Sequence, residues 1–120
     1  MKEVVWDFSA RKIVRSFPVE VKKELGALLL ALQRGVLLGM PQSRKVLALH
    51  PSAFELRIKD EHGIHRVFYV FFDSDKILVP HAFTKKTQRT PKKEIDTAKQ
   101  RLRRMIHEHQ STRQKTGKRP

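Results

Sequence analysis

Between Phe54 and Glu94 the chain reads FELRIKDEHGIHRVFYVFFDSDKILVPHAFTKKTQRTPKKE, and apolar residues alternate through its first half with period two. That period belongs to strands with one face buried, and it restricts the fold more than any other feature here. Strands are expected at Phe54–Lys59, at Ile64–Phe72 and from Lys76 to about Phe83, divided by DEHG and by Asp73-Ser74-Asp75. A four-residue loop from Asp60 to Gly63 sets Lys59 against Ile64, Arg57 against Arg66 and Glu55 against Phe68. A two-residue loop at His62-Gly63 shifts the pairs but leaves both arginines on one face. Only a three- or five-residue loop separates them, because side chains alternate with period two. The other face, Phe54, Leu56, Ile58, Val67, Tyr69 and Phe71, is apolar and needs a cover.

The N-terminal third supplies that cover. Lys2–Asp7 reads as a short strand, with Asp7 or Ser9 as a cap for a helix over Ser9–Ser16 whose Ala10, Ile13 and Val14 turn inward. Phe17-Pro18 breaks the chain, since proline disfavours helix before itself yet suits the first turn of a new one. Pro18–Arg34 then carries Val21, Leu25, Leu28, Leu29 and Leu32 at helical spacing, and Gly35 stops it. Residues 35–45 read as a loop with exposed apolar side chains, and Val46–Leu49 as a strand ended by His50-Pro51-Ser52. After strand five, Thr84–Arg89 is a connection, Thr90 an N-cap and Pro91 the first helical residue. The last helix has an apolar stripe of Ile95, Ala98, Leu102, Met105 and Ile106 and an otherwise basic surface, which suits a lid or a partner-binding element. The expected class is α+β: an N-terminal strand and helical hairpin on a mainly antiparallel sheet of four to five strands, with a C-terminal helix. One domain spans 1–109, and 110–120, without an apolar residue, is expected to be a disordered basic tail.

With 120 residues and 39% hydrophobic content the chain can bury one core unaided. No apolar run approaches the roughly 20 residues of a membrane span. Lys2 and Glu3 lead into VVW rather than into a secretory signal. There is no cysteine, so disulfide and thiolate chemistry are excluded, and a cytoplasmic location is expected. Net charge is +14 and unevenly spread: residues 1–83 carry 13 Lys/Arg against 9 Asp/Glu, residues 84–120 carry 13 against 3. This asymmetry points to a polyanionic partner. His62 and His65 straddle a turn, and neither they nor the other histidines meet a carboxylate at ligand spacing. No metal and no cofactor are expected.

Two arginines opposed across a ladder repel, at a cost of up to about 1 kcal/mol. A domain tolerates them when something anionic lies between, either a ligand phosphate held by paired guanidinium donors or an acidic side chain, for which Glu55 is at hand. Strand five brings His81, then Lys85 and Lys86, towards the same end of the sheet. Metal-free RNA cleavage needs a base for the 2′-hydroxyl, cations for the crowded phosphorane and an acid for the leaving oxygen. A lysine among arginines suits the base and a histidine the acid.

Taken together, FELRI, HRVFYV and HAFTKKTQRTPKKEI, followed by alanine and arginine in the last helix, resemble the phage-derived Gp49-like branch of the RelE/HigB toxins of type II toxin–antitoxin systems. The FPVEV stretch and the leucines ending at Gly35 fit the same branch, and the resemblance covers residues 1 to about 107. It implies a small RelE-like fold, a cognate helix-turn-helix antitoxin, and ribosome-dependent, metal-independent mRNA cleavage. By the same resemblance Arg57 and Arg66 are phosphate and transition-state ligands, Lys85 and Lys86 the base or further substrate cations, and His81 a candidate acid. Lys59, Arg89, Lys92, Lys93, Lys99 and Arg103 are expected to be nucleic-acid contacts. Many RelE-type nucleases use a tyrosine or histidine of the C-terminal segment. That segment has His107 and His109 but no tyrosine here, and Tyr69 falls on the core face. A ParE-like gyrase inhibitor and a non-enzymatic basic nucleic-acid-binding protein are the alternatives.

Overall fold

The structure is a computed structural model describing the backbone of residues 1–117 and the side chains of residues 1–110. Its elements are β1 (Glu3–Trp6), α1 (Phe8–Arg15), α2 (Val19–Gln33), β2 (Ser43–Lys45), β3 (Ala53–Asp60), β4 (Gly63–Phe72), β5 (Lys76–Lys85) and α3 (Lys92–Gly117). The strands form one sheet in the order β1-β5-β4-β3-β2. The meander β3-β4-β5 is antiparallel, β2 adds antiparallel to β3, and β1 adds parallel to the free edge of β5. The expected α+β architecture is present, with five strands and three helices. The backbone of 110–117 continues α3 where a disordered tail was expected, and 118–120 lie outside the described residues.

One face of the sheet packs on the helical hairpin. Val21, Leu25, Leu29 and Leu32 of α2 and Ala10 and Val14 of α1 meet Leu56, Ile58, Val67, Tyr69, Ile77, Val79 and Ala82. Asp7 caps α1 as expected, accepting from the Ala10 amide at 3.0 Å. Gly35, at φ +90°, ends α2 in a conformation that costs a glycine little. The second face is not left open: α3 lays Ala98, Leu102 and Met105 on Phe68, Val70, Leu78 and Phe83.

Two local assignments differ from the sequence reading. Val46–Leu49 is a turn, and the edge strand β2 precedes it at Ser43–Lys45. The alternation of VLAL arises because Val46 and Leu49, three apart in a turn closed by the Leu49 amide on the Val46 carbonyl, both point into the α3 side of the core. Thr90 does not cap α3. The Pro91 carbonyl accepts from Glu94 and Ile95, and the Thr90 hydroxyl is engaged elsewhere.

A bulge in β5 determines which residues share the second face. Phe68 pairs with His81 and Val70 with Leu78, so Val79 and Pro80 together oppose Tyr69. Proline has no amide to give the ladder, and an extra residue reverses the alternation. Leu78 and His81 therefore point the same way, and beyond the bulge His81, Phe83 and Lys85 stand on the face of Arg57 and Arg66.

Candidate functional site

Pairing register lays three rows across that face: Arg44, Glu55, Phe68, His81; then Arg57, Arg66, Phe83; then Lys59, Ile64, Lys85. Arg57 is paired with Arg66 and Lys59 with Ile64, the register of the four-residue loop. The two arginines converge as expected. Glu55, one row along the sheet, engages both, Arg57 directly and Arg66 through Thr90.

Glu55 and Arg66 are both 0% exposed. Glu55 Oε2 accepts from the Thr90 hydroxyl at 2.8 Å, and that hydroxyl oxygen accepts in turn from Arg66 Nη1 at 3.3 Å. Arg57 Nε lies 3.5 Å from Glu55 Oε1. Arg66 Nη2 donates to the Thr87 carbonyl, and Arg57 Nη2 donates to the Gln88 carbonyl at 2.9 Å. Arg66 Nε has no hydrogen-bond partner. Burial pulls the Arg66 pKa down, Glu55 opposes this, and the Arg57 and Arg44 charges add to the lowering. The expectation of two guanidiniums free to hold a ligand is thus corrected. Arg66 is sealed beneath residues 87–90, and Arg57, its side chain 12% exposed, is the arginine of the pair that reaches the surface.

The surface at Arg57 is a groove of about 360 Å³ whose lining includes Glu24, Met40, Gln42, Arg57, Lys59 and Gln88. Arg44, paired with Glu55 and partly exposed, is a cation of this face that sequence reasoning missed. The missing signal was the edge strand: once Ser43–Lys45 is paired with β3, alternation alone puts Arg44 beside Arg57.

The remaining expected residues gather around a second carboxylate. Glu94 Oε1 is 2.7 Å from His81 Nε2, and Glu94 Oε2 is 3.5 Å from Lys85 Nζ. Arg101 Nη1 donates to His81 Nδ1 at 2.9 Å. A guanidinium only donates, so Nδ1 is the acceptor and Nε2 carries the proton given to Glu94. Burial holds the His81 pKa below its ordinary 6.5, with the Arg101 charge in support and Glu94 opposed. Arg101 and Arg104 both reach Asp7, so the α1 cap also ties down α3. Phe83 separates the two clusters, with the Arg66 guanidinium 5.8 Å from its ring centre and the His81 ring stacked at 5.6 Å.

Lys85 is 45% exposed, and Lys59, Lys86, Arg89, Lys92, Lys93, Lys99 and Arg103 are exposed. Tyr69 is buried on the core face as expected, its hydroxyl 2.7 Å from Ser43 Oγ. The histidines of the β3–β4 turn do meet a carboxylate, against expectation: Asp60 Oδ1 contacts His65 Nε2 at 2.8 Å and Asp60 Oδ2 lies 3.4 Å from His62 Nδ1. Among the described residues no group of three His, Asp or Glu side chains could hold a metal ion, and no helix is long and apolar enough to cross a membrane.

A five-stranded sheet of this order, with a helical hairpin on one face and a C-terminal helix on the other, is the RelE-type toxin fold. The isolated RelE toxin of E. coli superposes with a TM-score of 0.54 at 16% identity, over 78% of this chain and 92% of that one. An E. coli RelE mutant with two arginines replaced by alanine, in the free state, superposes with a TM-score of 0.50 at 16% identity, over 69% and 82%. Residues 12–103 match the family described as phage-derived protein Gp49-like, and the chain belongs to that family. No curated protein sequence matches it.

Proposed function

We propose that the chain is the toxin of a type II toxin–antitoxin system and cleaves mRNA on the ribosome without a metal, inhibiting translation in the cytoplasm. The observation that carries this reading is the RelE-type fold, with Arg57 reaching the surface on the sheet face that also holds Lys85. Arg57, with Arg44 on the same face, meets the scissile phosphate at the groove, and Arg66 below it is the second phosphate ligand. Lys85 and Lys86 at the strand end supply the positive charge a phosphorane needs, one of them taking the 2′-hydroxyl proton as the 2′-oxygen displaces the 5′-oxygen, which takes its proton from the other ammonium or from water. His81 has committed its Nε2 proton to Glu94, so it serves here by holding α3 and Lys85 in place. Lys59, Arg89, Lys92, Lys93, Lys99 and Arg103 bind the RNA backbone. A cognate helix-turn-helix antitoxin would cover this basic surface with an acidic segment.

Mapping mRNA 5′ ends in cells briefly expressing the protein tests the reading. New ends within translated codons are expected, and they should vanish with Arg57→Ala. Intact mRNA with blocked supercoiling would replace the nuclease with a ParE-like gyrase inhibitor. Intact mRNA with normal supercoiling would leave a non-enzymatic binding protein, a reading that gains from the burial of Arg66 and the engagement of both His81 nitrogens.

A further inference from the structure

Consecutive carbonyls, those of Thr87 and Gln88, accept from the two guanidiniums that the proposed reaction assigns to phosphate. A phosphodiester presents two oxygens to two arginines in the same way. The segment that supplies the carbonyls is itself exposed from Thr84 to Arg89, and it enters the core only at Thr90, 8% exposed. Thr90 donates to Glu55 and accepts from Arg66, so one hydroxyl pins the segment to the buried charges. Beneath it Arg66 Nε is buried without a partner and Glu55 Oε1 accepts no hydrogen bond. A buried charge left partly unsatisfied is costly, and it gains from any rearrangement that brings better partners.

We infer that Lys86–Thr90 is a built-in occupant of the anion site, a strap whose carbonyls stand in for the substrate phosphate and which an RNA backbone must displace to reach Arg66. The inference rests on the reading of Arg57 and Arg66 as phosphate ligands. In the closed state the charge of the site is offset in part by Glu55 and its donors are occupied by the strap carbonyls, and the chain has low affinity for a short anion. Displacement hands the Arg57 and Arg66 donors from the carbonyls to a phosphate and lengthens the basic run Lys85, Lys86, Arg89 along the same strand of RNA. Apparent affinity is then the intrinsic affinity reduced by the fraction of molecules with the strap open.

The test uses the full chain and a 2′-O-methyl RNA hexamer, which binds but lacks the attacking hydroxyl. Thr90→Val removes the pinning hydroxyl at nearly constant shape, and Gln88→Gly loosens the strap without touching Glu55 or Arg66, at the loss of the 3.4 Å contact from Arg57 Nη2 to Gln88 Oε1. Tryptic cleavage after Lys86 and Arg89 reports strap opening. Both variants are expected to be cut faster than wild type and to bind the hexamer about tenfold more tightly. Faster cutting with unchanged or weaker binding, while Arg57→Ala still weakens it, overturns the strap and leaves the anion site standing. If Arg57→Ala binds as well as wild type, the anion site itself fails. Should Thr90→Val lose its fold, judged by circular dichroism, Gln88→Gly alone decides.

Discussion

Arg57 and Arg66 share a row of the sheet but not a fate. Arg57 lies at the groove, and Arg57→Ala is expected to keep the fold while losing growth inhibition. Arg66 is buried beside Glu55, and its removal leaves that buried carboxylate with the Thr90 hydroxyl and Arg57 Nε at 3.5 Å but without the second guanidinium charge. Arg66→Ala is expected to lower stability by about 3–5 kcal/mol in urea titration. Replacing both Glu55 and Arg66 by apolar residues of similar size should recover much of that loss, and a double variant no more stable than the single one would contradict the account. His81 gives a pH signature. Its folded-state pKa lies below the ordinary 6.5, so folding favours the neutral ring. Its stabilising contribution is full above pH 6.5, declines as pH falls below that, and is lost once pH passes through the lower folded-state value, with stability rising with pH because the unfolded chain binds more protons. The urea midpoint should fall between pH 7.5 and 5.5, and less so in His81→Gln. Asp60 acts lower on the scale. Burial would raise its pKa, but the His62 amide and the His65 and His62 side chains outweigh burial and bring it to about 2. Its share is present above pH 4 and fades as pH falls towards 2.

At the scale of elements, α3 is the part whose placement depends most on charge. Its apolar stripe seats it on the sheet, while Asp7 and Glu94 tie its flank to α1 and β5. Asp7→Ala removes both the α1 cap and the α3 tie and should cost about 1–2 kcal/mol from the cap alone. Asp7→Asn keeps a cap acceptor and removes only the charge, so it should cost less. Denaturation of both variants across a salt series separates the two contributions. The elements also show how far a pattern can be read. Alternation in β3 and β4 located Arg57, Arg66 and the apolar face because both strands are regular. The same rule failed at VLAL, where a turn puts Val46 and Leu49 inward three apart, and with it Arg44 was lost from the site. In β5 the rule was silent about the bulge at Val79-Pro80, although proline there was the visible clue.

At the scale of the molecule, a charge of +14 makes affinity for RNA steeply salt-dependent. Lys99, exposed on α3 and remote from the arginine pair in sequence, should act through backbone contact alone. Lys99→Ala is expected to lower affinity and to reduce the slope of log K against log salt by about 0.7, the single-strand value per phosphate. Arg57→Ala should instead remove cleavage in excess of its effect on binding. An unchanged slope for Lys99→Ala would place that side chain outside the RNA path.

Periodicity and punctuation in the chain by themselves determined the order of elements, the helical hairpin, the apolar face it covers, and the pairing of two arginines across a hairpin. These follow from local rules: the period of a strand, the φ of proline and glycine, the length of a turn. Only the tertiary structure decided that the second face is roofed by α3, that a bulge turns His81 and Lys85 towards the arginines, and that Glu55, Thr90 and the carbonyls of residues 87 and 88 already hold them. Those outcomes depend on which distant groups satisfy buried charge, and alternation along one strand carries no information about a partner thirty residues away.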